Sequence, residues 1–480
     1  MNPVAWFDAL SGFVTSVIFF SVTLGGVEIP LIVVWLIVAG GFFTVYLGFQ
    51  NIRGFKHAIQ LVSGKYDNDP DEAGEVSHFQ ALATAVSGTV GLGNIAGVAV
   101  AIALGGPGAT FWMIVAGFLG MSTKMAECTL GVKFRRQHSD GTVSGGPMYY
   151  LRDAVGKVTN MRFGKFLAGF FAVCTVGGSL GGGNMFQSNQ ASQQIINVTG
   201  GTETFLGRNP WVIGLIFAIL VAVVIIGGIK SIARVTEKIV PGMAIIYVAA
   251  CLFVLIVNFG AIPNAMVQIF SGAFSPEGIT GGVVGVLLVG FQRAAFSNEA
   301  GVGSASIAHS AVRTDEPATE GYVALLEPFI DTIVICTMTA LTIVITGAWA
   351  RPDATELGGV QLTSTAFESV ISWFPVVLAI SVIFFAFSTM ISWSYYGMKA
   401  IGYLFGDSQK AENVFKGVFC VFTVIGSAAS LSSVIDFSDS AIFAMSLPNI
   451  VGLYILARVL RKEIFGYRDR VKSGEIVASK

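Results

Sequence analysis

Two glycine-rich segments interrupt long apolar stretches of this chain: Ser87-Gly-Thr-Val-Gly-Leu-Gly-Asn94 and Phe296-Ser-Asn-Glu-Ala-Gly-Val-Gly-Ser-Ala-Ser306. Both stretches are long enough to cross a bilayer, where an unpaired backbone group costs several kcal/mol unless it lines a cavity or binds something. Glycine lets a helix unwind without a steric clash at Cβ, which frees backbone groups for a ligand. The matched pair therefore predicts discontinuous transmembrane helices that meet at a binding site near the membrane midplane.

The composition is that of a membrane protein. Of the 480 residues, 54% are hydrophobic and 12% are charged, and the mean hydropathy is +0.73. Soluble globular proteins carry about 25% charged residues. The net charge is -1 and no basic domain is present, so we expect contact with membrane lipid and none with nucleic acid.

Cysteine and histidine give no support for an enzyme. The five cysteines lie singly in apolar runs, without the spacing of a zinc site or a redox pair, and the four histidines are scattered. At membrane depth the sequence contains neither a nucleophile and base pair nor a metal motif. We therefore expect a protein without enzymatic activity and without an organic cofactor.

Apolar runs separated by polar breaks predict an all-α polytopic membrane protein with eleven transmembrane helices. The predicted spans are residues 30–52, 78–104, 107–134, 163–197, 209–228, 234–259, 281–311, 319–348, 373–404, 411–432 and 437–460. The earlier apolar stretch Phe13–Leu24 is shorter than the roughly 20 residues that a span requires. We interpret it as an interfacial or re-entrant helix within an N-terminal segment, residues 1–29.

Lysine and arginine are distributed very unevenly between the two sets of predicted loops. One set contains the basic residues within 53–65, 133–165, 230–238, 313 and 399–416 and those of the C-terminal tail, whereas the opposite set contains only Arg208 and Arg351. Basic loops stay on the cytoplasmic side of a membrane. The pattern predicts a plasma-membrane protein with its N-terminus outside and its C-terminus in the cytoplasm.

The order of the spans predicts an internal repeat. If the first span, residues 30–55, is a peripheral helix, ten spans remain, and two blocks of five must face opposite ways across the membrane. Residues 78–260 and 281–465 would then form inverted repeats that each begin with a broken span, followed by a cytoplasmic tail, residues 466–480. A five-plus-five inverted-repeat core with the broken helices at its centre is typical of secondary transporters.

The second glycine-rich segment contains an ionisable residue, Glu299, within a span. Burying such a group in a bilayer is costly, so a functional role is the first hypothesis. A structural contact with Arg293, one turn upstream, or a helix-end cap is the alternative. In the first segment, close packing of small residues without any ligand is the alternative.

Further polar residues recur at helical spacing: Asn184, Gln187 and Gln190 in one span, and Thr389 with Trp393 in another. Each set is predicted to share one helical face. The hydroxyls of Ser388 and Thr389 are hard donors that suit an alkali cation, and hydrogen bonding between helices is the alternative. Lys124 and Glu127, one turn apart, predict an ion pair that reaches the interface.

Four motifs are spread over most of the chain: Gly91-Leu-Gly-Asn-Ile-Ala-Gly-Val-Ala-Val-Ala-Ile-Ala-Leu-Gly-Gly-Pro-Gly-Ala-Thr-Phe-Trp-Met113, Gly145-Gly-Pro-Met-Tyr-Tyr150, Gly183-Asn-Met-Phe-Gln-Ser-Asn189 and Phe296-Ser-Asn-Glu-Ala-Gly-Val-Gly-Ser-Ala305. In this order they resemble the alanine or glycine:cation symporter family, which includes the sodium:alanine symporters. The resemblance implies a prokaryotic inner-membrane protein whose last ten spans share the fold of the neurotransmitter:sodium symporters. It also implies uptake of alanine or glycine with sodium, or in some members with protons.

The same resemblance implies the residues of the site. Substrate contacts are expected at Thr89, Gly91, Gly93, Asn94, Gln187, Phe296, Ser297, Asn298, Thr389 and Trp393. Sodium is expected at the hydroxyls of Ser388 and Thr389 and at carbonyls near Ser87 and Val90. Two residues depart from the usual pattern, Phe186 and Val302, and we consider Phe186 and Glu299 as candidate gate or coupling residues.

The predicted function is sodium-driven uptake of a small neutral amino acid by alternating access. Na+ is the expected coupling ion, and proton coupling through Glu299 is the alternative within the same class. A channel or a sensor on the same helices is less compatible, because a channel needs an open row of charged or carbonyl rings. Here the polar groups are clustered and flanked by Phe296 and Trp393. No obligate protein partner is evident.

Overall fold

The computed structural model of the protein describes residues 3–66, 73–139, 141–275 and 282–478. Residues 1–2, 281 and 479–480, which belong to three of the predicted segments, lie outside the described residues. The described chain is mostly helical, as predicted.

The chain contains α-helices in every interval predicted to span the membrane. In the first part of the chain they are Pro3–Ile18, Leu31–Tyr46, Gln50–Arg53, Phe55–Val62, His78–Thr89, Val98–Gly105, Ala109–Lys133, Pro147–Tyr150, Gly156–Val158, Met161–Leu180, Phe186–Val198, Phe205–Arg208, Trp211–Ile225, Gly228–Val257 and Ile262–Ala273. In the second part they are Gly282–Asn298, Ala305–His309, Pro317–Ala324, Leu326–Pro328, Thr337–Ile345, Ala354–Leu357, Gly359–Glu368, Phe374–Phe405, Gln409–Ala428, Leu431–Ile455 and Ala457–Ser473. π-Helical turns occupy Gly93–Gly97, Leu151–Val155, Gly181–Met185 and Phe329–Cys336, and 3-10 turns occupy Phe259–Ala261 and Ala348–Ala350.

Six of the described helices are long and apolar enough to cross a membrane, or seven if the bent pair His78–Thr89 and Gly93–Gly105 counts as one span. Leu31–Tyr46 and Trp211–Ile225 are shorter apolar helices. Large apolar side chains such as Val223 are exposed on the outer surface, as expected for helices that face lipid tails. These features fit a multi-pass membrane protein, and the count of eleven spans stays a prediction.

The N-terminal segment departs from the predicted single helix over Phe13–Leu24. The helix ends at Ile18, and Ser21–Leu24 pairs antiparallel with Val27–Pro30, with Leu24 opposite Val27. Gly25 and Gly26, at the turn, both have positive φ, +60° and +83°. Consecutive positive φ values make a tight turn that suits the twist of a hairpin, and glycine adopts them without strain. A second short hairpin pairs Arg136–Gln137 with Val143–Ser144.

The first broken helix has a defined start and a defined break. Ser77 and Gln80 form a capping box in which Ser77 Oγ accepts from Gln80 N at 3.2 Å and Gln80 Oε1 accepts from Ser77 N at 3.1 Å. This pairing satisfies N–H groups that the first helical turn cannot pair. The helix ends at Thr89, and a 50° bend separates it from the helical segment Gly93–Gly105.

The Phe374–Phe405 helix forms the packing centre around this break. It contacts His78–Thr89 on one side and the continuous helical stretch Met161–Val198 on another. The approach to Met161–Val198 is close at Gly183, where a Cβ atom would lie 2.2 Å from Cγ of Trp393. Only glycine allows this contact without a shift of the backbone or of the indole ring.

Two alanine substitutions on Met161–Val198 test this close approach. Gly183→Ala should lower the free energy of unfolding by about 1–3 kcal/mol, as overpacking of a core does. Gly169→Ala is the matched control, because nothing lies within 4 Å of a Cβ there. It should leave stability unchanged or slightly raised, since alanine is the better helix former by about 1 kcal/mol. Equal thermal unfolding midpoints for the two variants in detergent would contradict the packing described.

Candidate functional site

The first break, Val90–Leu92, is supported by side chains from its own second half-helix and from two other helices. The amide of Gly91 donates to Asn94 Oδ1 at 2.9 Å, and the amide of Leu92 donates to Gln187 Oε1 at 3.0 Å. A Cβ atom at Gly91 would lie 2.5 Å from Thr389 Oγ1 and 3.0 Å from Gln187 Oε1. Backbone amides, an amide side chain and a hydroxyl thus meet in a small, buried volume.

The residues predicted to bind sodium come together at the end of the first half-helix. Ser87 Oγ donates to the carbonyl of Ser388 at 2.7 Å, and Thr389 Oγ1 donates to the carbonyl of Ser87 at 2.9 Å. Val90 follows within one turn as the C-terminal cap residue. Ser388 Oγ lies on the other side of its helix, 3.1 Å from the carbonyl of Phe385 and 3.4 Å from Met243 Sδ. The hydroxyls of Ser87 and Thr389 and the carbonyls of Ser87 and Ser388 therefore meet at a helix C-terminus, the end that carries partial negative charge. The hydroxyl of Ser388, which the sequence analysis expected to bind sodium, points away from this end.

The second break, Glu299–Ser304, follows the helix Gly282–Asn298. Glu299 has φ +56° and is the first residue of the break, while Gly301 and Gly303 have φ +89° and +91°. A left-handed conformation is uncommon for a residue with a side chain and costs about 1–3 kcal/mol, so it is retained only where the surroundings impose it. Here Glu299 accepts hydrogen bonds from Ser304 Oγ and, at 3.0 Å, from Trp393 Nε1.

Trp393 joins the two breaks. Its indole N–H lies 3.0 Å from Glu299 Oε1 and 3.2 Å from the carbonyl of Gly88, so one donor is shared between the two broken helices. Phe186 and Phe296 form an edge-to-face pair with ring centroids 5.2 Å apart. A Cβ atom at Gly182 would lie 3.6 Å from Phe296 Cε2, so the aromatic pair borders the same helix as Gln187.

The structure overturns the alternative contact between Arg293 and Glu299. Arg293 forms a buried ion pair with Asp439, and its guanidinium carbon lies 5.4 Å from the centroid of the Phe296 ring. Arg293 lies six residues before Glu299, between one and two helical turns away, and the two side chains have different partners. Glu299 is therefore available to the site, and Arg293 supports the aromatic residue beside it.

Asp331 is a residue of the site that the sequence analysis missed. Its carboxylate accepts from Asn94 Nδ2 at 2.6 Å, from Ser297 Oγ at 3.0 Å and from Thr332 Oγ1 at 2.7 Å. Asn94 belongs to the first broken helix and Ser297 to the second, so Asp331 links the two. The rule that singled out Glu299, an ionisable residue within an apolar span, would also have identified Asp331.

Several predicted site residues point elsewhere. Thr89 Oγ1 donates to carbonyls of its own helix at 3.3 Å. Asn298 Nδ2 donates to Thr332 Oγ1 at 2.9 Å, and Asn298 lies against Gly120. Gly93, by contrast, packs against the site residue Ser297, because a Cβ there would lie 3.3 Å from Ser297 Cα.

The prediction that Asn184, Gln187 and Gln190 share one face was wrong. Asn184 Nδ2 donates to the carbonyl of Phe419 at 2.6 Å, and Gln190 Oε1 accepts from Val360 N at 3.0 Å, whereas Gln187 binds the first break. A helix turns by about 100° per residue, so steps of three drift by roughly 60° each and the outer two residues diverge by about 120°. The π-helical turn Gly181–Met185 adds to this divergence.

The prediction for Lys124 and Glu127 was also wrong. Both side chains are fully buried instead of reaching the interface. Lys124 Nζ lies 3.3 Å from Glu327 Oε2, and Glu127 Oε1 accepts from Asn449 Nδ2 at 2.9 Å. Lys124 therefore pairs with a carboxylate from a distant helix, which spacing along its own helix could not reveal.

The chain is similar to known proteins over most of its length. The profile of the sodium:alanine symporter family matches residues 14–480. The chain is 40% identical to the sodium/alanine symporter AgcS of Methanococcus maripaludis over 92% of this chain and 94% of that protein. It is 32% identical to the probable sodium/glutamine symporter GlnT of Bacillus subtilis over 93% of this chain and 89% of that protein.

A solved structure is similar in fold. The crystal structure of MhsT in complex with L-phenylalanine matches with a TM-score of 0.56 at 16% identity, over 82% of this chain and 99% of that one. At this identity the likeness shows the fold alone, which is that of the neurotransmitter:sodium symporters.

Two conservative tryptophan substitutions test the link between the breaks. Trp393→Phe removes the only indole N–H that reaches Gly88 and Glu299 among the described residues, and leaves two buried acceptors short of a donor. It should cost about 1–3 kcal/mol of unfolding free energy. Trp373→Phe is the control, because Trp373 caps the same helix but is 59% exposed, and its effect should stay within about 0.5 kcal/mol. Similar melting temperatures for both variants would show that the shared donor is dispensable.

Proposed function

Because the chain belongs to the sodium:alanine symporter family, we propose that it takes up a small neutral amino acid, alanine or glycine, together with sodium by alternating access. The observation that carries the proposal is the first break, where unwound backbone, the amide of Gln187 and the hydroxyl of Thr389 meet in a buried volume. Discontinuous helices of this kind hold substrate and coupling ion at the midplane of secondary transporters.

The donor set at Ser87, Val90, Ser388 and Thr389 fits sodium. Its members are hydroxyl and carbonyl oxygens, which are hard ligands that suit alkali and alkaline-earth cations. They lie at the C-terminal end of His78–Thr89, where the helix dipole favours a positive charge. A sodium ion held there would tie His78–Thr89 to Phe374–Phe405, since the two helices each supply part of the set.

The substrate would replace side-chain contacts at the two breaks. The amides of Gly91 and Leu92 now donate to side-chain oxygens, and a substrate carboxylate would accept from the same amides. Beyond them, Phe186, Phe296 and Trp393 limit the space available to the substrate side chain. These limits support a small substrate, and Gly93, Asn94 and Ser297 complete its surroundings.

The arrangement of the chain in the membrane is part of the proposal. Ten spans would form inverted repeats, residues 78–260 and 281–465, after a peripheral span, residues 30–55, with the N-terminus outside and the C-terminus in the cytoplasm of a prokaryote. The unequal distribution of lysine and arginine and the fold shared with MhsT support it. The last helix, Ala457–Ser473, continues past residue 466, where the cytoplasmic tail was expected to start.

Sodium supplies enough free energy for accumulation. Moving one positive charge inward across 100 mV is favourable by ~2.3 kcal/mol, which corresponds to about 50-fold accumulation of a zwitterion before the sodium concentration gradient is added. Binding of sodium at the first break must raise the affinity for substrate by the same factor by which substrate raises the affinity for sodium.

Reconstituted protein tests the function and the sodium site. Proteoliposomes with an inward sodium gradient should accumulate radiolabelled alanine or glycine, and Thr389→Ala should raise the half-saturating sodium concentration about tenfold or more, the effect of losing roughly 1.4 kcal/mol of binding energy. Ser381→Ala is the control, because Ser381 lies two turns earlier on the same helix and bonds only its own backbone, at 3.1 Å from the carbonyl of Val377. Unchanged sodium dependence in Thr389→Ala would show that sodium binds at another site. Absence of uptake of any small amino acid by the wild type would refute the proposed function.

Proton coupling through Glu299 is the second candidate, favoured by the contact of this buried carboxylate with Trp393. We expect Glu299→Gln to retain sodium-driven uptake, because the glutamine oxygen still accepts from the indole N–H. Glu237→Gln is the control. The Glu237 carboxylate accepts a hydrogen bond from Gln80 Nε2 at 2.9 Å and does not contact either break. If a proton gradient drives uptake without sodium, and if Glu299→Gln but not Glu237→Gln abolishes that uptake, the coupling ion is the proton and not sodium.

A further inference from the structure

Five buried side chains that take no part in the proposed site form a continuous chain of contacts. Glu320 bonds Nδ1 of His78 through one oxygen and Nδ1 of His309 through the other. The opposite nitrogen of His309 lies 2.7 Å from Glu327 Oε1, and Glu327 Oε2 lies 3.3 Å from Lys124 Nζ. All five side chains are at most 5% exposed. We call these residues the buried charge chain.

The buried charge chain joins the outer ends of both broken helices. His78 begins His78–Thr89, and His309 ends Ala305–His309. The same ends are held together by backbone contacts, since the amide of Arg313 donates to the carbonyl of Val76 at 2.9 Å. Arg135 adds guanidinium bonds to the carbonyls of Ala73, Ser310, Val312 and Thr314 at 2.5–3.0 Å. In the proposed orientation this is the cytoplasmic end, and it is closed in this structure.

The buried charge chain also reaches the second break. Glu127, one turn from Lys124, accepts from Asn449 Nδ2 at 2.9 Å, and the same nitrogen lies 2.9 Å from the carbonyl of Gly301. Lys124 interacts electrostatically with Glu299 as well as with Glu327. A change of charge in the chain is therefore felt at the break that contacts Trp393.

The charges of this region balance only if both histidines are protonated. Three buried carboxylates, those of Glu127, Glu320 and Glu327, face one lysine and two histidines among the described residues. Lys124 offsets one negative charge, so the second proton of each imidazole is needed to offset the other two. An uncompensated buried charge costs several kcal/mol. Glu127 Oε2 is moreover buried without a hydrogen-bond partner among the described residues.

We propose that the buried charge chain together with Glu127 is a proton-binding site, and that its proton exchanges with the cytoplasm and stabilises the arrangement in which the cytoplasmic side is closed. The proposal rests on the proposed function and adds to it a dependence of transport on cytoplasmic pH. It differs from proton coupling through Glu299, because the proton here is bound and released on one side of the membrane and drives no uptake.

The direction of the effect follows from which arrangement binds more protons. Opening the cytoplasmic side separates the ends that carry His78 and His309 and admits water to Glu320, so the open arrangement no longer needs the extra proton. Acidification of the cytoplasm therefore favours the closed arrangement, by up to about tenfold per pH unit for one proton. Release of substrate to the cytoplasm should slow accordingly.

Other titratable or charged groups pack around this site. They are Cys128 and Arg135 beyond Lys124 and Glu127, Glu299 at the second break, Tyr150 against Asn449, Asp331 beyond Glu327, and Tyr396 on the Phe374–Phe405 helix. Arg135 lies at the rim, where its guanidinium is bound to backbone carbonyls.

Right-side-out membrane vesicles test the proposal, because their lumen is the cytoplasmic side. Initial sodium-driven alanine uptake is measured at fixed external pH, sodium gradient and membrane potential, with the lumen at pH about 8 or about 6, a range in which histidine titrates. We expect the wild type to slow severalfold at the lower pH. Glu127→Gln removes one negative charge and keeps an acceptor for Asn449, so its uptake should change less than about twofold over the same range.

Glu316→Gln is the control, because Glu316 pairs with Arg470 at 2.6 Å outside the buried charge chain. It should keep the wild-type dependence on pH. Glu320→Gln is a second charge-removing variant and should behave as Glu127→Gln does. The proposal is overturned if the wild type transports with no dependence on lumenal pH, if both buried variants keep that dependence, or if Glu316→Gln loses it.

A second measurement needs no transport. Near neutral pH the folded protein should hold a proton that the unfolded chain does not. The free energy of unfolding should therefore fall as pH rises from about 6 to about 8. Melting curves in detergent should show this slope for the wild type and a smaller one for Glu127→Gln and Glu320→Gln. If the wild type shows no uptake but its melting temperature depends more strongly on pH than those of the two variants, the proposed function is refuted and the proton site is retained. If the melting temperatures of all three proteins depend equally on pH, the proton site is refuted.

Discussion

The indole N–H of Trp393, shared between the carbonyl of Gly88 and the carboxylate of Glu299, is the contact on which the centre of this protein depends. Each broken helix leaves backbone groups that its own hydrogen-bond ladder cannot satisfy, and no water is present at membrane depth to replace them. Partners must come from neighbouring helices. Gln187, Thr389 and Trp393 supply them, so the position of each helix is coupled to the breaks.

This requirement explains why small residues line the centre. A side chain at Gly91 would collide with Thr389, and one at Gly183 would collide with Trp393. The glycines therefore do two things: they permit the backbone to unwind, and they let the partner side chains come within hydrogen-bonding distance. A substrate that replaces these side-chain contacts competes with bonds that already exist, which favours a ligand with few atoms and well-placed polar groups.

Buried charge connects the centre with one end of the molecule. Asp331 joins the two broken helices near the breaks, and Glu320 joins their outer ends through His78 and His309. Both carboxylates lie on the helical stretch Pro317–Ile345. That stretch therefore contacts each broken helix twice, and a movement that separates their outer ends changes the surroundings of buried charges as well as the packing.

The sequence by itself determined the helical membrane architecture, because hydropathy, glycine placement and the position of basic residues are properties of short segments. It also singled out Ser87, Gln187, Thr389 and Trp393, since polar residues within apolar spans are costly and therefore conspicuous, and the structure brings these four residues to the first break. Only the tertiary structure decided which buried charges pair. Lys124 was expected to pair with Glu127 but pairs with Glu327, and the two scattered histidines meet at Glu320. Such pairings depend on how helices distant in the chain pack together, and periodicity along one helix carries no information about that.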